Sequence, residues 1–428
     1  MAASITTLDA ILKEFYLGPI EEQLNNETMV IDLFEKATVD WQGKNVIIPI
    51  HLSRNSGVGF KAEGTTFAGA NIAAGNQGYA RMVVTAKFLY GRFELSGPAI
   101  ASAKTGANSF ATYIEAEINK LTTDVRNESN STAITGGAVI GLCWSKGNGV
   151  SKQYSGQHKD TGLTIAAPPP VTQTCRLRLV RTGEFFSTQR VIAACTENNL
   201  EFTVAMNTSI GQLDNGGNDV KAGDVFAVEL DATSTVKVAG GANETTGIWG
   251  NLFSGEHFGI ARNTNTELIS TAFTVSKGDV YAALNLDSIQ NVLDEMLLRA
   301  DEEPAIMVMN PVMRVEYTAL LQGVGVANLY KDLVSAQNGD AGFTSLGYAG
   351  IPMKVTRHAP KGSIMFLCPK YWRLLELDKK GFADLDGSIL SRVAGAGATD
   401  AYEGFYKWYY EVVCHRPNAN AVLTAVQF

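Results

Sequence analysis

Between Asn55 and Arg81 the chain places six glycines, Gly57, Gly59, Gly64, Gly69, Gly75 and Gly78, among small residues, with Phe60, Phe67 and Tyr79 as the only aromatic side chains. Such a stretch buries too little apolar surface to offset the entropy of ordering it. It is flanked by strand-like sequence. Asn45-Val46-Ile47-Ile48-Pro49-Ile50 precedes it, and in residues 82–95 that follow, Phe88, Tyr90, Arg92 and Glu94 alternate with Leu89, Gly91, Phe93 and Leu95. That alternation is the period of a strand. The pattern predicts a long hairpin arm over residues 46–96, projecting from the body. A two-stranded ribbon is marginal in water on its own, so the arm needs a partner surface to lie on.

The chain has 428 residues, more than one hydrophobic core usually serves, which predicts at least two domains. Charged residues make up 18%, below the roughly 25% of a typical soluble domain, which implies that much surface is covered. With 42 glycines but only 12 prolines, the glycine marks turns within ordered structure rather than disorder. A net charge of −8 without any block of Lys or Arg argues against a chain built to grip phosphate backbones. Cys143, Cys175, Cys195, Cys368 and Cys414 are odd in number and widely spaced, so neither a disulfide framework nor a zinc ribbon follows; reduced, buried thiols are expected. Residues 1–20 carry Asp9 and Glu14 and no basic-then-apolar run. Nowhere do about 18 apolar residues follow one another, so no membrane span is expected, and folding in a cytoplasm is.

Residues 5–35 read as helical pieces around Gly18-Pro19. The clearest helix follows the arm: Phe110, Ile114, Ile118, Leu121 and Val125 recur at spacings of three and four, with Glu115, Glu117, Lys120 and Asp124 on other faces. It is expected to fade at Asn127-Glu128-Ser129-Asn130-Ser131. From about 150 to 270 the composition turns to Thr, Val, Gly and Asn, the texture of an all-β module. Strands are predicted there at 176–181, 189–194, 201–205, 224–230 and 234–238. Leu286, Ile289, Leu293, Met296 and Ala300 then mark a helix stopped by Pro304. A strand at 305–309 leads to Asn310-Pro311, an N-cap and first-turn proline, with Gly323 as the stop. Strands at 353–356, 363–368 and 421–426 complete a compact α+β unit.

A search for chemistry yields no site. None of His51, His158, His257, His358 and His415 pairs with a second ligand at helical spacing, and His415 beside Cys414 lacks convergent partners. A Cys–His nucleophilic pair between distant residues stays open. Gly57-Val58-Gly59 and Gly147-Asn148-Gly149 lack the third glycine and following helix of a phosphate cradle. The acidic stretch Asp214, Asn215, Asn218, Asp219 and Asp224 lacks calcium-loop spacing and reads as a solvated hairpin tip. Phe405, Tyr406, Trp408, Tyr409 and Tyr410 surround only Lys407, which favours a packed strand or subunit contact over base stacking. No catalytic residue, cofactor or metal is expected.

His51-Leu52-Ser53-Arg54-Asn55-Ser56-Gly57-Val58-Gly59 and Lys87-Phe88-Leu89-Tyr90-Gly91-Arg92-Phe93-Glu94-Leu95-Ser96-Gly97-Pro98 resemble the extended loop and its return strand in the major capsid proteins of tailed bacteriophages with the Hong Kong 97-type fold. The helix ending Arg126-Asn127-Glu128 before Gly136-Gly137 resembles the spine helix of the peripheral domain. Met309-Asn310-Pro311 and Gly350-Ile351-Pro352-Met353-Lys354-Val355 resemble the axial domain. None is a strict motif; the likeness lies in their order, and it leaves out roughly residues 150–270.

The resemblance implies an α+β chain with an N-terminal arm (1–45), extended loop hairpin (46–100), peripheral domain with spine helix (101–149), inserted β-rich domain (150–270), and peripheral remainder with axial domain (271–428). It implies a coat protein that forms pentamers and hexamers of itself and closes an icosahedral shell around double-stranded DNA without sequence-specific binding. Scaffolding protein, portal and possible decoration protein are the further partners, with assembly in a bacterial cytoplasm. Inter-subunit contact is expected from Arg54, Phe60, Lys61, Phe67, Tyr79, Arg81 and Arg92, with Glu115 and Glu117 on a neighbour's spine helix as acidic partners. Some relatives cross-link through a loop lysine; Lys61 is the only lysine in the glycine-rich part, but no partner string accompanies it. Two other readings stand beside this one: an encapsulin-type shell that packages enzymes, and an unrelated β-rich hydrolase or adhesin.

Overall fold

The computed structural model describes residues 30–37, 41, 43–67, 72, 74–97, 109–135, 141–145, 153–158, 174–179, 190–195, 202–205, 225–230, 245–253, 256–262, 264–275, 282–323, 346–383, 391–392, 401–424 and 426. The helical pieces expected before residue 30, the acidic stretch at 214–224, Gly147–Gly149 and the strand at 234–238 lie outside the described residues.

A five-stranded sheet organises the first half of the body. Its centre is β20 (Ala401–Cys414), antiparallel to β18 (Trp372–Phe382) on one edge and to β4 (Lys87–Ser96) on the other. β1 (Glu35–Ala37) adds in parallel beyond β18, and β19 (Ser391–Arg392) pairs the start of β20. The alternation in residues 87–96 places Gly91, Phe93 and Leu95 inward and Phe88, Tyr90, Arg92 and Glu94 outward, as the period predicts. Helix α1 (Ser109–Thr135) crosses the inward face at Gly91, where a Cβ would meet Val125 Cγ2 at 2.9 Å and Leu121 Cδ1 at 3.0 Å. Glycine is needed here for the close approach of helix to strand.

The helix does not fade at Asn127. Its polar end stays helical and buried, and two hydroxyls there are satisfied within the helix: Ser129 Oγ donates to Arg126 O at 2.7 Å and Thr132 Oγ1 to Glu128 O at 3.0 Å. Asn130 Oδ1 accepts from the amides of Val30 and Ile31, and Ala133 and Ile134 enter the core beside Trp249, Trp372, Trp408 and Val412.

A second, six-stranded sheet runs β13 (Thr271–Thr274), β21 (Ala421–Thr424), β17 (Ile364–Leu367), β14 (Ile306–Met309), β16 (Ile351–Val355) and β15 (Gly347–Tyr348). β14 and β17 are buried on both faces. Ile306, Val308, Met365 and Leu367 join the core under α1, while Met307, Met309, Ile364 and Phe366 join a second core with Ile289, Val292 and Met313. The two halves of the body are thus packed through shared strands. Helix α3 (Leu286–Ala300) starts at the Asn285 cap, whose Oδ1 accepts from Ser288 N at 2.6 Å. Helix α4 (Pro311–Gly323) starts at Asn310, whose Oδ1 accepts from Val312 N at 3.1 Å. Both helices, and the strands predicted at 305–309, 353–356, 363–368 and 421–426, form where their sequence patterns place them.

The β module differs from expectation at both ends. β5 (Gly141–Ser145), β6 (Gln153–His158), β7 (Thr174–Leu179), β8 (Arg190–Cys195), β9 (Phe202–Ala205) and β10 (Val225–Leu230) close into an antiparallel barrel in the order β10-β5-β6-β9-β8-β7. The barrel therefore begins before residue 150. The described residues between 245 and 270 belong to the body instead: α2 (Gly247–Phe253) buries Ile248, Trp249 and Leu252 against α1 and β20.

Candidate assembly surface: the arm and its seat

The arm is the hairpin of β2 (Asn45–Ser53) and β3 (Gly78–Thr85), in register from Asn45 opposite Thr85 to His51 opposite Tyr79. It ends at Ala86, and β4 belongs to the body sheet, so the expected arm over 46–96 is shorter by its last strand. Its root is seated. Met82 and Val84 are buried against Ile260, Leu268, Leu375 and Val413, with Val46, Ile48 and Phe258 packed around them.

Beyond the root, no other described residue covers it. Phe60 is fully exposed at 103%, Val58 at 85%, Tyr79 at 71% and Phe67 at 64%. The loop nevertheless has its own order. Asn55 Oδ1 accepts from Gly57 N at 2.7 Å, and Ile72 N donates to Phe67 O at 3.0 Å. Its two limbs press together at Gly75, where a Cβ would lie 2.3 Å from Ser56 Oγ and 2.9 Å from Ser56 N. Lys61 Nζ sits 4.6 Å from the centre of the Phe67 ring, a cation–π contact that presents one charged, aromatic tip.

Of the residues expected to make subunit contacts, Phe60, Lys61 and Phe67 are therefore gathered at the tip, while Arg54, Tyr79 and Arg81 are exposed along the arm. Arg92 is elsewhere. It stands on β4 in the body, where its guanidinium pairs with Glu403 at 2.9 Å and Glu94 at 3.3 Å. An ion pair within the chain already engages the guanidinium, through a partner 311 residues away that no local pattern reveals. Glu117 is half-buried on α1; the Glu115 side chain lies outside the described ones.

Sequence reasoning missed the polar groups buried around the seat. His257 is buried with Nε2 2.8 Å from Cys414 O and Nδ1 3.0 Å from Arg262 Nη2. Burial and the neighbouring guanidinium lower its pKa to about 3, so it is neutral. Glu411, also buried, accepts from Thr246 N at 2.7 Å and Val412 N at 3.0 Å. Burial pushes its carboxyl up to about 7, although those amides and Lys87 pull the other way. The folded state thus binds this proton more tightly than the unfolded chain. The associated stability is fully present below about 4.5 and is lost as pH rises through about 7. Glu411→Gln, which stays neutral and keeps the acceptor oxygen, is expected to flatten that fall and to be more stable than the parent at pH 8 by about 1–3 kcal/mol. Urea unfolding from pH 4 to 8 checks this; a parental slope in the variant refutes it.

The two described thiols offer no ready nucleophile: burial pushes Cys368 up to about 11 and Cys414 up to about 12. Among the described residues no group of three His, Cys, Asp or Glu side chains is arranged to hold a metal ion, and no helix is long and apolar enough to cross a membrane.

No protein-family model matches the chain, and no curated protein matches its sequence. Solved structures do. The capsid asymmetric unit of cyanophage A-1(L) is 11% identical, with a TM-score of 0.57 over 100% of both chains. The capsid of a native GTA particle computed with C5 symmetry is 9% identical, with a TM-score of 0.50 over 100% of both chains.

Proposed function

We propose that this chain, which has the α+β Hong Kong 97-type capsid fold, is a major capsid protein whose copies assemble into an icosahedral shell around double-stranded phage DNA. The observation that carries the proposal is the arm: a hairpin seated at its root and bare at an aromatic, cationic tip. Full burial of an aromatic side chain contributes about 1.5–3 kcal/mol. A tip with two phenylalanines thus offers each subunit contact a substantial apolar gain against the entropy of association. Arg54, Lys61 and Arg81 would meet acidic groups on the neighbour, Glu115 and Glu117 of its α1 among them.

Pentamers and hexamers are the expected building units, with scaffolding, portal and decoration proteins as partners and a bacterial cytoplasm as the place of assembly. A net charge of −8 suits a container whose wall must not trap DNA as it enters. An encapsulin-type shell would differ in cargo, protein rather than DNA. Electron microscopy of the purified chain, with and without a candidate scaffold, tests the proposal. Shells, sheets or tubes are expected; monomers and small oligomers under every condition would overturn it.

A further inference from the structure

We infer that the small hairpin β11 (Glu256–His257) and β12 (Ile260–Ala261) is a clip that sets the angle at which the arm leaves the body, with Phe258 as its positioning residue. The use made of that angle, reaching a neighbouring copy, rests on the assembly role proposed above.

His257 pairs with Ile260, leaving Phe258 and Gly259 as a two-residue turn. Both have positive φ, 48° and 87°, the signature of a type I′ turn, a position that favours Asn, Asp or Gly. A bulky aromatic side chain in the left-handed region is an outlier that persists only where its surroundings over-determine it. Here they do so from above and below. Above, Phe258 O accepts from Val83 N at 3.0 Å, the one backbone hydrogen bond between arm and body among the described residues. The Phe258 ring packs into the seat formed with Met82 and Val84.

Below, the hydrogen bonds fix the clip to the body sheet. A carbonyl only accepts, so His257 Nε2 carries the proton donated to Cys414 O, and Nδ1 is left to accept from Arg262. Arg262, itself 5% exposed, also donates to Asn251 O and Leu252 O at the end of α2. The Asn251 amide bonds Val412 O at 2.9 Å and accepts from Cys414 N at 3.0 Å. One continuous set of polar contacts therefore runs from the C-terminal end of β20 to Val83, three residues before the joint at Ala86. The nine residues of β2 span about 30 Å, so a few degrees at the clip become ångströms at the tip.

Phe258→Asn tests this in the full chain. Asparagine suits the turn and keeps the backbone carbonyl but removes the ring. Hydrogen exchange on the unassembled subunit is expected to show the Val83 amide exchanging at least tenfold faster, with β18 and β20 amides unchanged. Unaltered protection of Val83 overturns the inference. So does a loss of protection that spreads through β20, which would make Phe258 an ordinary core residue. Because the exchange is read before assembly, its outcome is independent of whether the chain builds shells. Assembly trials then read the arm angle itself: open or irregular assemblies are expected from Phe258→Asn where the parent closes shells, and parental shells would refute the link between clip and assembly.

Discussion

Replacing Phe60 and Phe67 together with serine is expected to leave the subunit folded and to abolish shell formation. Both rings stand clear of the body, so their removal deletes no intramolecular core contact, and surface changes of this kind usually move stability by no more than about 0.5 kcal/mol. The loss falls on the contact between copies. At about 1.5–3 kcal/mol per buried ring, two rings per arm amount to several powers of ten in the affinity of each contact. A closed shell needs every contact at once. Sedimentation and negative-stain microscopy distinguish soluble subunits from particles. Normal particles from the double variant would remove the arm from the assembly mechanism.

Asn420→Ala is expected to be among the most damaging single changes in the body. Its side chain is fully buried. Oδ1 accepts from both Cys368 N and Trp372 Nε1 at 2.9 Å, and Nδ2 donates to Arg416 O at 3.1 Å. This one amide ties the end of β17 to the start of β18, and so the six-stranded sheet to the five-stranded one. Alanine strands two buried donors, at about 1–3 kcal/mol each, against a total stability on the order of 5–15 kcal/mol. Urea unfolding measures the loss. A midpoint shift equivalent to less than about 1 kcal/mol would mean that the donors find other partners.

What the sequence makes legible here is what a short window determines. The stripe from Leu121 to Val125, the Asn310-Pro311 start of α4, the alternation in β4 and the glycine-rich loop are all patterns of neighbours, and each appears where it is expected. The misses share the opposite property. α1 continues past Asn127 because Asn130 serves a turn 100 residues earlier. Arg92 is paired through Glu403 across the β4–β20 ladder. α2 is only seven residues long, too short for a period to declare itself, and its burial depends on Trp372 and Trp408 far along the chain. The clip has no local signal except one that points away from it, since phenylalanine is a poor residue for its turn. β7, β8, β9 and β10 are legible as strands in the β-rich sequence, but β5 and β6 are not, and the pairing of β10 with β5 that closes the barrel joins residues some eighty positions apart.

That closure matters most where subunits crowd. A row of unpaired amides and carbonyls on a flat strand is a template on which the next molecule can zip. In the shell proposed for this chain, each exposed border would multiply into a lattice of wrong pairings. By returning β10 to β5 the module keeps all its ladders to itself. Under that proposal identical barrels can be brought to high local concentration while recognition is left to the arm.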